Sequence, residues 1–216
     1  MLTTKEIKKE IGLHITTAHN GKMDGMQSLS TSPWKNIQCE RNCKIENAIC
    51  NHCFSRKQMK AFPTMEKPLA TNYEILTSRI LPVYELPIIN ALYFRFEAFG
   101  DLANEIQVIN YFNICRANPH VKFALWTKNA RHVKKAIEAG HEKPENLNVI
   151  YSSLFVNDCA DIERIKKRYP FIDKVFTVYD EEHGANVAIN CGARKCLKCR
   201  LCYEKNGVEY VNELIK

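Results

Sequence analysis

From residue 91 onward the chain alternates short apolar runs with helical periods, and this alternation limits the available folds more than any other feature. The runs are Leu92 to Phe96, Lys122 to Trp126, Asn148 to Tyr151 and Lys174 to Val178, and their starts recur at intervals of 30, 26 and 26 residues. A short apolar run followed by a 3.6-residue period reads as a strand and then a helix. A helix between two strands supplies the crossover that parallel pairing requires, and right-handed crossovers set successive strands side by side. The intervening segments carry apolar stripes: Leu102, Ile106, Ile109 and Phe112, then Val133 and Ile137, then Ile162, Ile165 and Tyr169. Asn129 and Asp158 stand where N-caps accept amide hydrogen bonds, and Gly140 stands where a left-handed residue ends a helix. Pro170 forbids helical continuation after the third stripe.

Upstream, Met26 to Thr31 reads as a first strand, followed by a cysteine-bearing loop and a helical region broken near Pro63 and resumed around Tyr73 to Ile80. Val187 to Ile189 reads as a last short strand. Six strands fall short of the eight that close a TIM barrel of about 250 residues. The expected fold is therefore α/β, a partial (βα) barrel of about six parallel strands with cysteine-rich loops. It is expected to be a single domain over 1–216, with an N-terminal segment over 1–60, βα repeats over 61–190 and a C-terminal segment over 191–216. The opening MLTTKEIKKE reads as a polar helical start rather than an export signal, and no apolar run reaches the roughly 18 to 20 residues that cross a bilayer. The expectation is a soluble cytoplasmic protein with no membrane contact.

Ten cysteines in such a compartment do not read as disulfides. Cys39, Cys43, Cys50 and Cys53 share one short stretch, and Cys191, Cys196, Cys199 and Cys202 share another. Cys115 and Cys159 stand alone and read as small buried hydrophobes in or beside amphipathic helices. In the terminal run, three thiols at successive two-residue gaps suit different irons of one cubane, as in ferredoxin-type C-x2-C-x2-C, with Cys191 as the fourth ligand. Zinc usually takes two separated pairs, and here the terminal cysteines form one continuous run. The first group does contain two pairs, with His52 as a spare zinc donor, although the iron-sulfur reading stays ahead. In one version three of its thiolates leave an iron open to S-adenosylmethionine, as in radical-SAM enzymes. The common C-x3-C-x2-C spacing of those enzymes is absent, but Phe54 follows the last cysteine as an aromatic often does there. The expected cofactors are one or two [4Fe-4S] clusters, with S-adenosylmethionine in the enzymatic version.

Residues just past the strands form the default active-site face of a parallel βα fold. Glu97, Asp101, Lys128 and Ser152 are the catalytic candidates, and Thr127, Ser153, Tyr179 and Asp180 stand at similar positions. Asp101 reads equally well as the N-cap of a helix from Leu102, and Lys128 as a solvated strand end. His183 is a candidate acid or base. The net charge of +7 invites phosphate binding, but two four-thiolate clusters would lower it to about +3, so nucleic acid is not favoured. Arg194, Lys195, Lys198 and Arg200 are read as balancing the charge of the terminal cluster.

The stretches Asn20 to Gly25, Ser28 to Pro33 and Cys50 to Phe54, then Phe94-Arg95 ahead of Gly100-Asp101, and finally the terminal cysteine run together resemble the phage family named after gene product 88. The resemblance implies a virus-encoded iron-sulfur protein of radical-SAM-like or ferredoxin-like character, acting in the host cytoplasm. The expected function is redox or radical-SAM-like chemistry on a substrate the sequence leaves open, with a redox partner. The alternatives are a zinc-stapled nucleic-acid-binding module and a non-catalytic electron carrier or host modulator.

Overall fold

The computed structural model describes residues 12–215, so the polar N-terminal start lies outside the described residues. Within them, seven strands form one sheet in which each strand lies beside its predecessor in the chain. β1 (Ile15–Thr17) and β2 (Gln27–Leu29) pair antiparallel. From β2 onward every pairing is parallel, through β3 (Tyr93–Phe96), β4 (Lys122–Thr127), β5 (Leu147–Ser152), β6 (Lys174–Tyr179) and β7 (Tyr210–Leu214). The sheet does not close: β1 and β7 are its edges. The helices are α1 (Ile37–Asn42), α2 (Phe54–Ala61), α3 (Glu66–Ser78), α4 (Glu105–Ala117), α5 (Ala130–Glu138) and α6 (Ile162–Arg168), with the one-turn α7 (Glu181–Gly184) and α8 (Cys196–Cys199). Among the described residues no helix is long and apolar enough to cross a membrane.

β2 to β6 fall where the apolar runs place them, but the sixth parallel strand is β7 and not Val187 to Ile189, which is irregular. Only the short α7 separates β6 from residue 187, too little chain for a parallel crossover. The third helix is capped by Asp161, which accepts from the Glu163 amide, rather than by Asp158. α4 starts at Glu105 behind an Asn104 cap, so Asp101 is not its N-cap. Asn129 occupies the cap position of α5, but its amide donates to the Leu102 carbonyl at 2.8 Å and leaves the cap unmade. Gly140 does take a positive φ, 91°.

Because the strands run in chain order and crossovers are right-handed, successive helices fall on the same side of the sheet. Alternating strand residues Phe94, Phe96, Phe123, Leu125 and Val149 form the main core with Leu76 of α3, Val108 and Phe112 of α4, and Val133 of α5. Phe96 stacks between Tyr111 and Phe123, with centroids 4.1 and 5.1 Å away. Each buried aromatic of this kind contributes about 1.5–3 kcal/mol. The opposite face carries Tyr93, Ala124, Trp126, Ile150 and Phe176, and among the described residues no crossover helix covers it; it packs against Cys196, Leu197, Cys202 and Tyr203 of the terminal segment. The second cysteine run, with its one-turn α8, is thus the lid of this face.

Candidate metal centres and the strand-end site

The first cysteine group lies beyond the C-terminal end of β2. Asn36 caps α1 by accepting from the Gln38 and Cys39 amides, and Cys43 closes the same helix through its amide to the Cys39 carbonyl. Cys50 sits in a tight turn, and Cys53 begins α2. The loop is fastened to the segment after β5, where the Ile49 amide donates to the Leu154 carbonyl at 2.9 Å. Cys50 and Cys53 are electrostatic neighbours of Cys39, and Cys43 donates its thiol to the Cys50 carbonyl at 3.1 Å. Burial pushes the Cys39 thiol far up, and Cys50 up to about 11 against the pull of Lys128. His52, the spare donor, is exposed.

Glu97 directly follows β3 with φ 52°, and this left-handed turn breaks the strand alternation. Its carboxylate bonds with α4 on the helix side, accepting from Gln107 Nε2 at 2.6 Å and from the Tyr111 hydroxyl, and it also accepts from the Thr31 amide and hydroxyl. Burial pushes it up to about 8, while the Tyr111 and Thr31 bonds pull it down. Asp101 Oδ1 accepts from Leu102 N and from Thr127 Oγ1 at 2.6 Å, and Oδ2 accepts from Lys128 N at 3.0 Å. Burial raises it too, opposed chiefly by the Lys128 charge. Lys128 Nζ donates to Ser152 Oγ at 3.0 Å. Lys128 and Ser152 line a cavity of about 210 Å³ together with Gln38, Asn42, Asn129 and Tyr169. Glu97 and Asp101 are not in its wall; they shape the loops around it. His183 is exposed, its Nδ1 within 2.8 Å of Asp180 in a local cap.

The second group lies on the sheet face opposite the crossover helices. The Cys191 amide donates to the Asn212 carbonyl beside β7, and the Cys191 thiol is 3.7 Å from Lys22 Nζ and 3.8 Å from Glu213 Oε2, which themselves pair at 2.5 Å. Cys196 and Cys199 bound α8, which ends on Arg200 with φ 57°. The Cys202 carbonyl accepts from Asn148 Nδ2 at 3.0 Å, and Cys191, Cys196 and Cys199 are the electrostatic neighbours of its thiol, which burial pushes up to about 12. The nearby cations differ from those expected: Lys195 pairs with Asp24 at 2.6 Å, and Arg200 lies over the Tyr93 ring. Lys22 and Arg95 act on the thiols instead. Among the described residues no three Cys, His, Asp or Glu side chains are drawn together as a metal-holding group, so the thiols are neighbours and not a ready-made cage.

Two facts were missed by the sequence reading. Cys159 is exposed in the loop before α6, whereas Cys115 is buried in α4 as expected. Lys22, Arg95 and Glu213 were not singled out as terminal-site residues, although Lys22 and Arg95 lie in motifs already noted.

A family model for Gene product 88 matches residues 3–209. The chain belongs to the Gene product 88 family. No curated protein and no solved structure matches it. The Gene product 88 match spans both cysteine groups, and the motifs sort into the two sites. Lys22 of Asn20 to Gly25 lies beside Cys191 and Arg95 contacts Met23 of the same stretch, whereas Thr31 of Ser28 to Pro33 bonds Glu97, and burial and then Asp101 raise the Cys39 thiol.

Proposed function

We propose that this Gene product 88 chain is an iron-sulfur protein holding two [4Fe-4S] clusters and carrying out redox chemistry, in its enzymatic form on a substrate at the strand ends with S-adenosylmethionine. The observation that supports this most is that eight of the ten cysteines fall into two short groups, 39–53 and 191–202, each only partly exposed and each folded into its own loop at a different side of the sheet. Both donor sets are all-thiol, which suits iron-sulfur ligation, and cations stand beside each: Lys128 by the first, Lys22 and Arg95 by the second. Such clusters supply one-electron transfer, and one held by only three thiolates offers an open iron for a ligand.

The chain's own residues do the rest. Cys39, Cys43, Cys50 and Cys53 would hold one cluster, and Cys191, Cys196, Cys199 and Cys202 the other. Lys128 is aimed into the cavity by the Asp101 carboxylate, which grips its backbone amide, and steadied by Ser152. There its ammonium would bind an anionic group of substrate or cofactor.

The test is anaerobic purification with iron, sulfide and zinc measured on one sample. About eight irons and eight sulfides per chain, a visible band bleached by dithionite, and deoxyadenosine release from S-adenosylmethionine are the expected results. Bound clusters without deoxyadenosine would leave an electron carrier. Zinc without iron, with salt-sensitive DNA binding, would overturn the proposal in favour of a zinc-stapled module.

A further inference from the structure

Arg95 projects from β3 onto the face opposite the crossover helices. Its guanidinium lies 4.1 Å from the Trp126 ring centroid, and Nη1 is 3.3 Å from Met23 Sδ. Its Nε is buried with no hydrogen-bond partner. Guanidinium groups have five donors and no acceptor, and an unmatched buried donor costs about 1–3 kcal/mol, more when charged. Such an orphan in a native fold calls for a partner of its own, an ion or bound group included. None of the ion pairs among the described residues includes Arg95; Glu213 pairs with Lys22 and Glu204 with Lys122. Sulfur lies on the same side: Met23 and Trp126, which hold the guanidinium, pack in one cluster with Cys196 and Cys202. Trp126 fixes the guanidinium from one side, and Tyr203 packs edge-on against Trp126 with centroids 6.1 Å apart.

We infer that Arg95 sets the reduction potential of the terminal cluster, donating its Nε–H to a cluster or cysteinyl sulfur and placing a fixed positive charge beside it. This rests on the iron-sulfur reading of the terminal cysteines. In the redox step the oxidised cluster accepts one electron and no proton, and dithionite, the reductant in the test, is oxidised. With four thiolates the total charge goes from about −2 to −3, so an adjacent cation stabilises the reduced state more than the oxidised one. Removing Arg95 therefore lowers the midpoint. Arg95 acts as a positioning and tuning residue, not as a ligand.

The experiment uses full-length protein carrying Cys50→Ser and Cys53→Ser, which leaves the terminal cluster as the one observed. Arg95→Met and Arg95→Gln both remove the charge, and Arg95→Lys keeps it while losing the Nε donor. EPR-monitored titration with dithionite and mediators reads the midpoint, and iron analysis confirms loading. Expected is a fall of at least tenfold in the reduction equilibrium for a neutral variant, which is 59 mV for one electron, and a smaller fall for Arg95→Lys. A loaded neutral variant whose equilibrium changes less than threefold, or rises, overturns the inference. Serine replacements at Cys196 and Cys202 that leave the iron content unchanged would instead overturn the reading beneath it.

Discussion

Asn36 donates its side-chain amide to the Asp101 carbonyl at 2.7 Å, and with its oxygen it caps the helix that carries Cys39. One buried amide therefore joins the first cysteine group to the loop that aims Lys128. Asn36→Ala removes the cap, about 1 kcal/mol, and strands a buried carbonyl, about 1–3 kcal/mol. We predict a loss of about 2–3 kcal/mol by urea unfolding and, on the iron-sulfur proposal, a selective fall in iron at the first site. Asn36→Asp keeps the cap and loses the donor, so it should show the stability loss with less effect on loading. Equal iron in wild type and Asn36→Ala would break the link.

Glu97 gives stability a pH signature. Its folded pKa, about 8, lies above the ordinary value of 4.5, so its stabilising contribution is full below about pH 4.5 and is lost as pH rises through about 8. Urea unfolding between pH 6 and 9 should show stability declining across this window. Glu97→Gln faces its amide toward Gln107 and Tyr111, costing about 1–3 kcal/mol at pH 6, but it removes the titration. The gap between the two proteins should therefore narrow as pH rises. Parallel curves would assign the pH dependence to other groups.

β3 to β6 were legible because strands buried on both faces read as continuous apolar runs. β7 was not, because YVNEL is an edge strand with polar residues on both faces, and it follows a cysteine segment that gave no periodic signal. β1 is three residues long, too short for any pattern. The grouping of the cysteines into two runs was legible from spacing alone, and the structure sets the two runs at different sides of the sheet. The left-handed turn at Glu97 was not, since a non-glycine residue at positive φ leaves no mark in sequence, and it turned a candidate catalytic carboxylate back toward α4. Arg95 sat in plain view within a recognised motif, but only the parity of β3 places it over the terminal cysteines instead of in the main core.

Gly100 has φ 82°, and a Cβ there would stand 2.5 Å from the Thr31 carbonyl oxygen and 2.8 Å from Glu97 Oε2. Alanine at this position forces the Thr31 backbone away from the Glu97 carboxylate and strains φ as well. Gly21, with φ 65° and open space around it, meets only the strain. We predict a loss of about 2–4 kcal/mol for Gly100→Ala and about 1 kcal/mol for Gly21→Ala in denaturant unfolding. Similar losses at both positions would mean that the close approach at Gly100 costs nothing beyond the backbone conformation.

Cysteine reactivity tests the proposed metal binding. Alkylation needs access and a thiolate, so exposed Cys159 should react with iodoacetamide in the folded, loaded protein, whereas Cys115, enclosed in α4, should stay unmodified until unfolding. If the two proposed clusters are present, the eight clustered thiols would be tied to iron and should also be protected. Stripping the metal with a chelator under ferricyanide exposes them, and peptide mass mapping should then show label spreading from Cys159 to both groups. Cys202, whose thiol burial holds up at about 12, should be labelled late. Label at all eight before stripping would mean that these thiols hold no metal, and label at Cys115 at the same stage would mean that the fold itself had opened.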